Sequence, residues 1–330
     1  MKSKKLLSVC ALATSCLLFA SCGNTSSKMS FSANWYQDTT SKTISQNVET
    51  LVYSITPSYE GYTGLSEDYF KTTYSTGTYT TTLTPISYEG ETIYQYTTRS
   101  EIGVSFFHKS TGESTQAFTD VVESTVLFTG IYNGGLRPIK STKTIQSHTP
   151  INGTPANKDQ CYVYYHYSVE TTYDTDGNGT CVLTDFEGNI LDKKRETQTN
   201  TFAIESQQYT YLDNEQVLFA LRGAPTEANK FLCYNSSTNS VQTIKLSVAS
   251  EEGATYKFSL NGENKELNIA AIPVSIEIDS INSGGPQKIW YAKTTDVKNN
   301  VYRNVMLKFE TPIAYNIGKL VYTLTSATFA

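Results

Sequence analysis

Apolar and polar residues alternate along most of this chain, and a period of two marks extended backbone with one face buried. Between Cys161 and Val169 the odd positions Cys161, Val163, Tyr165, Tyr167 and Val169 form an apolar row, while the even positions pass from Tyr162 and Tyr164 to His166 and Ser168. Ile244, Leu246 and Val248 stand against Lys245 and Ser247; Val305, Leu307 and Phe309 against Met306 and Lys308; Leu320, Tyr322 and Leu324 against Val321 and Thr323. Ile272, Val274, Ile276 and Ile278 make a further row, opposed by Ser275 and Glu277. The abundance of Thr, Tyr and Val agrees, because β-branched and aromatic side chains fit a pleated surface.

Turn chemistry falls between these rows, at Asp176-Gly177-Asn178-Gly179, Glu187-Gly188-Asn189, Asn261-Gly262 and Asn282 to Gly285. These cues predict roughly 13 to 15 strands. So large a sheet must curl or split to bury its apolar face. The fold class expected is all-β, a large curled antiparallel sheet or half-barrel over residues 46–330, with 46–150 and 158–330 as its halves if it splits.

One segment departs from the pattern. Asp213 followed by Gln216 is a variant of the capping box, and Arg222, Gly223 and Pro225 supply a stop. A helix of about two and a half turns is predicted, with Val217, Leu218 and Leu221 on one side. Too short to persist alone, it must gain its stability by lying against the sheet as a core plug or hinge.

The beginning of the chain reads as an export signal over residues 1–21. Lys2, Lys4 and Lys5 precede an apolar run from Leu6 to Phe19, and Ala20 and Ser21 are small. The run falls short of the roughly 20 residues that span a bilayer. Leu18-Phe19-Ala20-Ser21-Cys22 resembles the bacterial lipobox, which implies a palmitate-type lipid on Cys22 and a lipoprotein held at the outer face of a cell membrane. Two acyl chains anchor durably where one does not, since each buried methylene contributes about 0.8 kcal/mol. Residues 22–45, rich in Ser, Thr and Asn, read as a flexible tether, with Trp35 and Tyr36 able to dock on the domain or the membrane interface.

Charge narrows the partners. Loss of the three signal lysines takes the formal charge from −5 to −8, and no Lys/Arg cluster remains to neutralise phosphates, which argues against nucleic acid. Beyond Cys22 the thiols are Cys161, Cys181 and Cys233, too few for a disulfide framework. The chain has only His108, His148 and His166, none in a metalloprotease motif, and it lacks a Gly-x-Ser-x-Gly elbow. No catalytic constellation is visible, so an enzyme is not the expectation.

The sharpest local pattern runs from Asp174 to Asp185. Oxygen donors from Asp174, Asp176, Asn178, the Thr180 carbonyl and Asp185 match the spacing of a flexible Ca²⁺ loop, with Gly179 at its sixth position. Position twelve is Asp instead of Glu, and the flanks read as strands. The alternative is a β-hairpin turn, where Asp-Gly and Asn-Gly supply positive φ and side-chain capping.

Tyr211 to Gly223, Ile289 to Ala292, Val305 to Phe309 and Gly318 to Leu324, with Asp120 to Val126 and the Leu-x-Pro turn at Leu136 to Ile139, resemble a family of exported bacterial proteins of unknown function. The resemblance spans most of residues 46–330. It implies a long curled sheet, similar in outline to the periplasmic carriers of lipoproteins, and it carries no catalytic residue. Two roles are then expected for the anchored domain: binding a hydrophobic or lipid-like ligand in the curved groove, or acting as a surface module that binds glycan or protein through Tyr162, Tyr164 and His166. Neither needs a cofactor beyond the Ca²⁺ that the loop would take.

Overall fold

The computed structural model describes residues 28–33, 35–38, 40–60, 68–191, 196–206, 209–224, 229–278, 287–293, 304–313 and 317–330. These hold 19 strands. Two short bridges, β1 (Gln37–Asp38) and β2 (Thr43–Ile44), precede β3 (Glu49–Ser58), β4 (Phe70–Tyr88), β5 (Glu91–His108), the short β6 (Glu113–Ser114), β7 (Phe118–Phe128) and β8 (Pro138–Pro150). Next come β9 (Tyr162–Tyr173), β10 (Gly179–Asp185), β11 (Thr197–Phe202) and β12 (Tyr211–Asp213). After a short helical segment follow β13 (Asn229–Asn235), β14 (Ser240–Val248), β15 (Glu252–Leu260), β16 (Glu263–Ile278), β17 (Gln287–Ala292), β18 (Met306–Pro312) and β19 (Lys319–Phe329). The count exceeds the 13 to 15 expected partly because β1, β2, β6 and β12 are too short to show a period.

The expected all-β sheet curls far enough to close into a barrel. Neighbours pair antiparallel around most of the ring. The exceptions are the parallel β12–β13 pair and a brief parallel contact of β15 with β19. β19 returns to β3, with Thr323 opposite Ser54. β8 and β9 pair along Lys140 to Pro150, so the boundary drawn between two halves runs inside one antiparallel pair. At the β12 seam the Ser141 and Tyr173 hydroxyls, from β8 and β9, both donate at 2.6 Å to one oxygen of Asp213.

Alternation places the core. Leu51, Tyr53 and Ile55 on β3, Tyr94 and Tyr96 on β5, and Val126 and Phe128 on β7 are all buried. The hairpin joining β15 to β16 turns at Asn261 and Gly262, both at positive φ, as a two-residue Asn-Gly turn requires.

The helical segment plugs the barrel. The capping box forms as expected: Asp213 accepts from the Glu215 amide, and the Gln216 side chain accepts from the Asp213 amide. The first turn, Asn214–Gln216, is 3₁₀ and continues into α1 (Val217–Leu221), shorter than the two and a half turns predicted. Phe219 is fully buried and its ring touches Trp35, Tyr36, Tyr94, Tyr96 and Phe128, with centroids 4.8 to 6.4 Å away. Burying such a side chain contributes about 1.5–3 kcal/mol.

The tether reading is corrected over residues 28–45. Met29, Phe31, Ala33, Trp35 and Tyr36 are buried in the main core, because their apolar side chains alternate through a polar background and fill space the sheet leaves open. Backbone bonds fix this strap. The Ser32 amide donates to the Gly223 carbonyl at 2.7 Å, Thr210 donates to the Met29 carbonyl, and the Tyr94 hydroxyl donates to the Tyr36 carbonyl. Residues 1–27, with the expected signal and Cys22, lie outside the described residues.

One ion pair ties these parts together. The guanidinium of Arg222, just past α1, grips both carboxylate oxygens of Glu49 on β3, and each side chain is 1% exposed. Arg222 also lies 3.8 Å from the Trp35 ring centroid and donates from Nε to the Asn304 carbonyl. Asn304 returns a bond to the Arg222 carbonyl at 2.8 Å.

Candidate functional site

The plug does not fill the barrel. Beside it lies a cavity of about 410 Å³. Its aromatic wall comes from alternate positions of β4, β18 and β19. Phe309 and Tyr322 stack at 4.0 Å, and Tyr79 meets both edge-on at 5.5 Å. Ile244, Ile276 and Ile278 continue an apolar surface from β14 and β16, and Val217 and Leu218 close it from the plug. The sequence rows explain this wall, since each residue lies on an alternating strand face turned to the barrel interior.

Polar groups line the same cavity, among them Ser100 paired with Tyr79 and Gln287 paired with Ile276. Lys143 on β8 and Glu215 on the 3₁₀ turn form an ion pair at 2.9 Å, retaining 15% and 10% of their side-chain exposure. Asn214 donates to the same Glu215 oxygen at 3.1 Å. Thr98 and Ser100 on β5, Thr311 on β18 and Gln287 on β17 add hydroxyl and amide groups. Burial alone would pull the Lys143 ammonium down, but the Glu215 carboxylate outweighs it and the net shift is upward. Burial likewise raises Glu215, yet Lys143 outweighs it and the carboxyl is held below its ordinary value. Behind the pair, Asp213 is pushed up to about 6 by burial and by the negative charge of Glu215, against the lowering bonds from Ser141 and Tyr173. Cavities of this size with a few placed polar groups suit small molecules.

The five proposed Ca²⁺ donors are not brought together. Asp174 accepts from the amides of Asp176 and Asn178 and from the Asn178 side chain, closing the β9–β10 hairpin turn. Thr180 is paired within β10, and its hydroxyl meets that of Thr172. Asp185 stands at the far end of β10, where its carboxylate accepts from the amides of Glu187, Gly188, Ile190 and Leu191. A cation loop must fold its twelfth position back onto its first, and extended β10 holds Asp174 and Asp185 roughly 20 Å apart. The pattern is thus a hairpin turn followed by a second capped turn. Among the described residues no group of three or more His, Cys, Asp or Glu is placed to hold a metal.

Tyr162, Tyr164 and His166 lie on one row of β9 and are half-buried, and so are Val163, Tyr165 and Tyr167 on the other row, which the alternation had assigned to the core. His148, across from Tyr164 on β8, stacks on Phe118 at 4.0 Å and lies 4.7 Å from Tyr164. Its Nδ1 is 2.8 Å from Asp120. Phe186, 53% exposed, packs on His166 at 4.6 Å. His108 is buried away from both, against the Pro155 carbonyl and Thr111. Cys161, Cys181 and Cys233 are free and buried.

The cavity's ion pair escaped the sequence reading. Lys143 sits on the buried row of β8 between Ser141 and Ile145, and a charged residue on such a row was the available signal. Glu215 lies between Asp213 and Gln216 of the capping box, where a carboxylate suits a helix start and gives no sign of a distant partner.

No family model matches the chain, and no curated protein does. Among solved structures the chain is similar to a β-barrel-like protein of a domain of unknown function, DUF1849, from Brucella abortus. Identity is 10%, the match covers 86% of this chain and 98% of that one, and the TM-score is 0.46.

Proposed function

We propose that this protein is an envelope lipoprotein, anchored through Cys22, whose barrel binds a small amphiphilic molecule in the cavity beside the plug. The observation that carries the reading is the cavity itself: aromatic and aliphatic side chains line it together with hydroxyl and amide groups and one internal ion pair, in a volume within the range of small-molecule sites. Because the cavity is of small-molecule size and the plug borders it, the ligand is a compact amphiphile.

Native mass spectrometry on protein purified from cells tests this. A small amphiphile is expected on the wild type and absent from Leu218→Trp, which fills the cavity from the plug. A ligand-free wild type that also shows no thermal shift with a panel of short-chain amphiphiles would overturn it. Anchoring is read separately, as detergent-phase partitioning that is lost in Cys22→Ser.

A second reading draws on the ring ladder of His148, Tyr164, His166 and Phe186, whose exposed end offers flat faces beside hydrogen-bonding groups to a glycan. Glycan-array binding abolished by Tyr164→Ala would favour it; a blank array would remove it.

A further inference from the structure

We propose that the cavity selects an amphiphile whose polar head is uncharged, such as an alcohol or amide, over chain-matched carboxylate-like or ammonium-like molecules. This rests on the reading of the cavity as a ligand site and adds the chemical class of the ligand.

Two side chains lining the cavity among the described residues carry charge, Lys143 and Glu215, and they are spent on each other at 2.9 Å. An anionic head entering beside them would find its attraction to Lys143 offset by Glu215, while losing its own hydration. A cationic head meets the mirror image of that problem. The rings favour the cation less than separate rings would, because Phe309 and Tyr322 spend one face each on the other and Tyr79 packs against both. An ammonium needs an open ring face. What the lining does offer is neutral: the hydroxyls of Ser100 and Thr311 and the amide of Gln287, with Thr98 and Asn214 already bonded to Ser124 and Glu215. Asp213, a buried carboxyl coupled to Glu215, is engaged by Ser141, Tyr173 and the Glu215 amide.

The test measures binding of octanol, octanesulfonate and octyltrimethylammonium to the full-length protein, by calorimetry at pH 5 and pH 7.5. The two ions keep their charge throughout, so any pH effect belongs to the protein. Octanol is expected to bind at least about tenfold more tightly than either ion. Glu215→Gln, which releases Lys143 from its partner at nearly constant volume, is expected to invert the order so that octanesulfonate becomes the best of the three. Lys143→Met is the reciprocal variant and should favour octyltrimethylammonium.

Equal affinities in the wild type, or a Glu215→Gln protein with native circular dichroism and no gain for octanesulfonate, would overturn the inference while leaving a ligand cavity in place. Failure of all three probes to bind the wild type would overturn the cavity reading as well.

Discussion

Replacing Arg222 with Met should be among the most damaging single changes this barrel can suffer. The guanidinium is held by Glu49, the Asn304 carbonyl and the face of Trp35, and both charged side chains are 1% exposed. Removing one member of a buried pair strands the other, at a cost of about 3–5 kcal/mol. The lost ring contact adds up to about 2 kcal/mol. These terms overlap because they share one side chain, so a total loss of about 4–6 kcal/mol is expected, a large part of the roughly 5–15 kcal/mol that keeps a domain folded. Urea unfolding followed by tryptophan fluorescence reads it directly, since Trp35 lies under the guanidinium. The double variant Arg222→Met with Glu49→Met removes the stranded carboxylate and should recover most of the loss. A single variant within about 1 kcal/mol of wild type, or a double variant as unstable as the single one, would refute the argument that the pair acts as a mutually compensated unit.

Asp213 gives a pH signature of opposite sign to the usual carboxylate. Its folded value is raised from 3.8 to about 6, so the native state holds the proton more tightly than the unfolded chain. Its contribution is complete below about pH 4 and is lost as pH rises to about 6, a change on the order of 3 kcal/mol. Depressed carboxyls such as Glu310 pull the other way. The measurement is therefore the difference between wild type and Asp213→Asn across pH 4 to 7.5, and a flat difference would contradict the assignment. Gly223→Ala tests the strap. A Cβ there would collide with the Ser32 carbonyl oxygen, which is backbone and cannot swing aside. A loss of about 1–3 kcal/mol is expected in thermal unfolding, with protease cleavage appearing near residues 28–38.

The strand rows were legible because a half-buried strand writes its two faces into alternate residues. Ile244 and Leu246, Val274 and Ile276, and Tyr322 and Leu324 are buried as their pattern predicts. Asp213 and Gln216 likewise announced a helix start, since a capping box depends on residues three apart. Closure was not legible, because the pairing of β3 with β19 joins residues that share no local pattern. The strap was misread for a related reason: Met29, Phe31 and Trp35 are sparse among serines and asparagines, and average composition hides a few residues with a deep pocket waiting for them. Arg222 looked like a helix terminator, and nothing near it in sequence names Glu49 as its partner. The Asp174 to Asp185 spacing reads both as a hairpin turn and as a cation loop, because turn chemistry and cation chemistry draw on the same side chains.

The join between β3 and β19 also sets a timetable for assembly. Ser54 bonds to a carbonyl 269 residues further on, so during synthesis the early strands exist for a long interval with one lateral row of amides and carbonyls unmet. Such an edge recruits any passing strand, its own kind included. Formation of the native ring is therefore expected to be slow and late, governed by long-range encounter and not by local propensity. Holding the chain apart from its copies until β19 has appeared matters to its yield as much as the strength of any contact made afterwards.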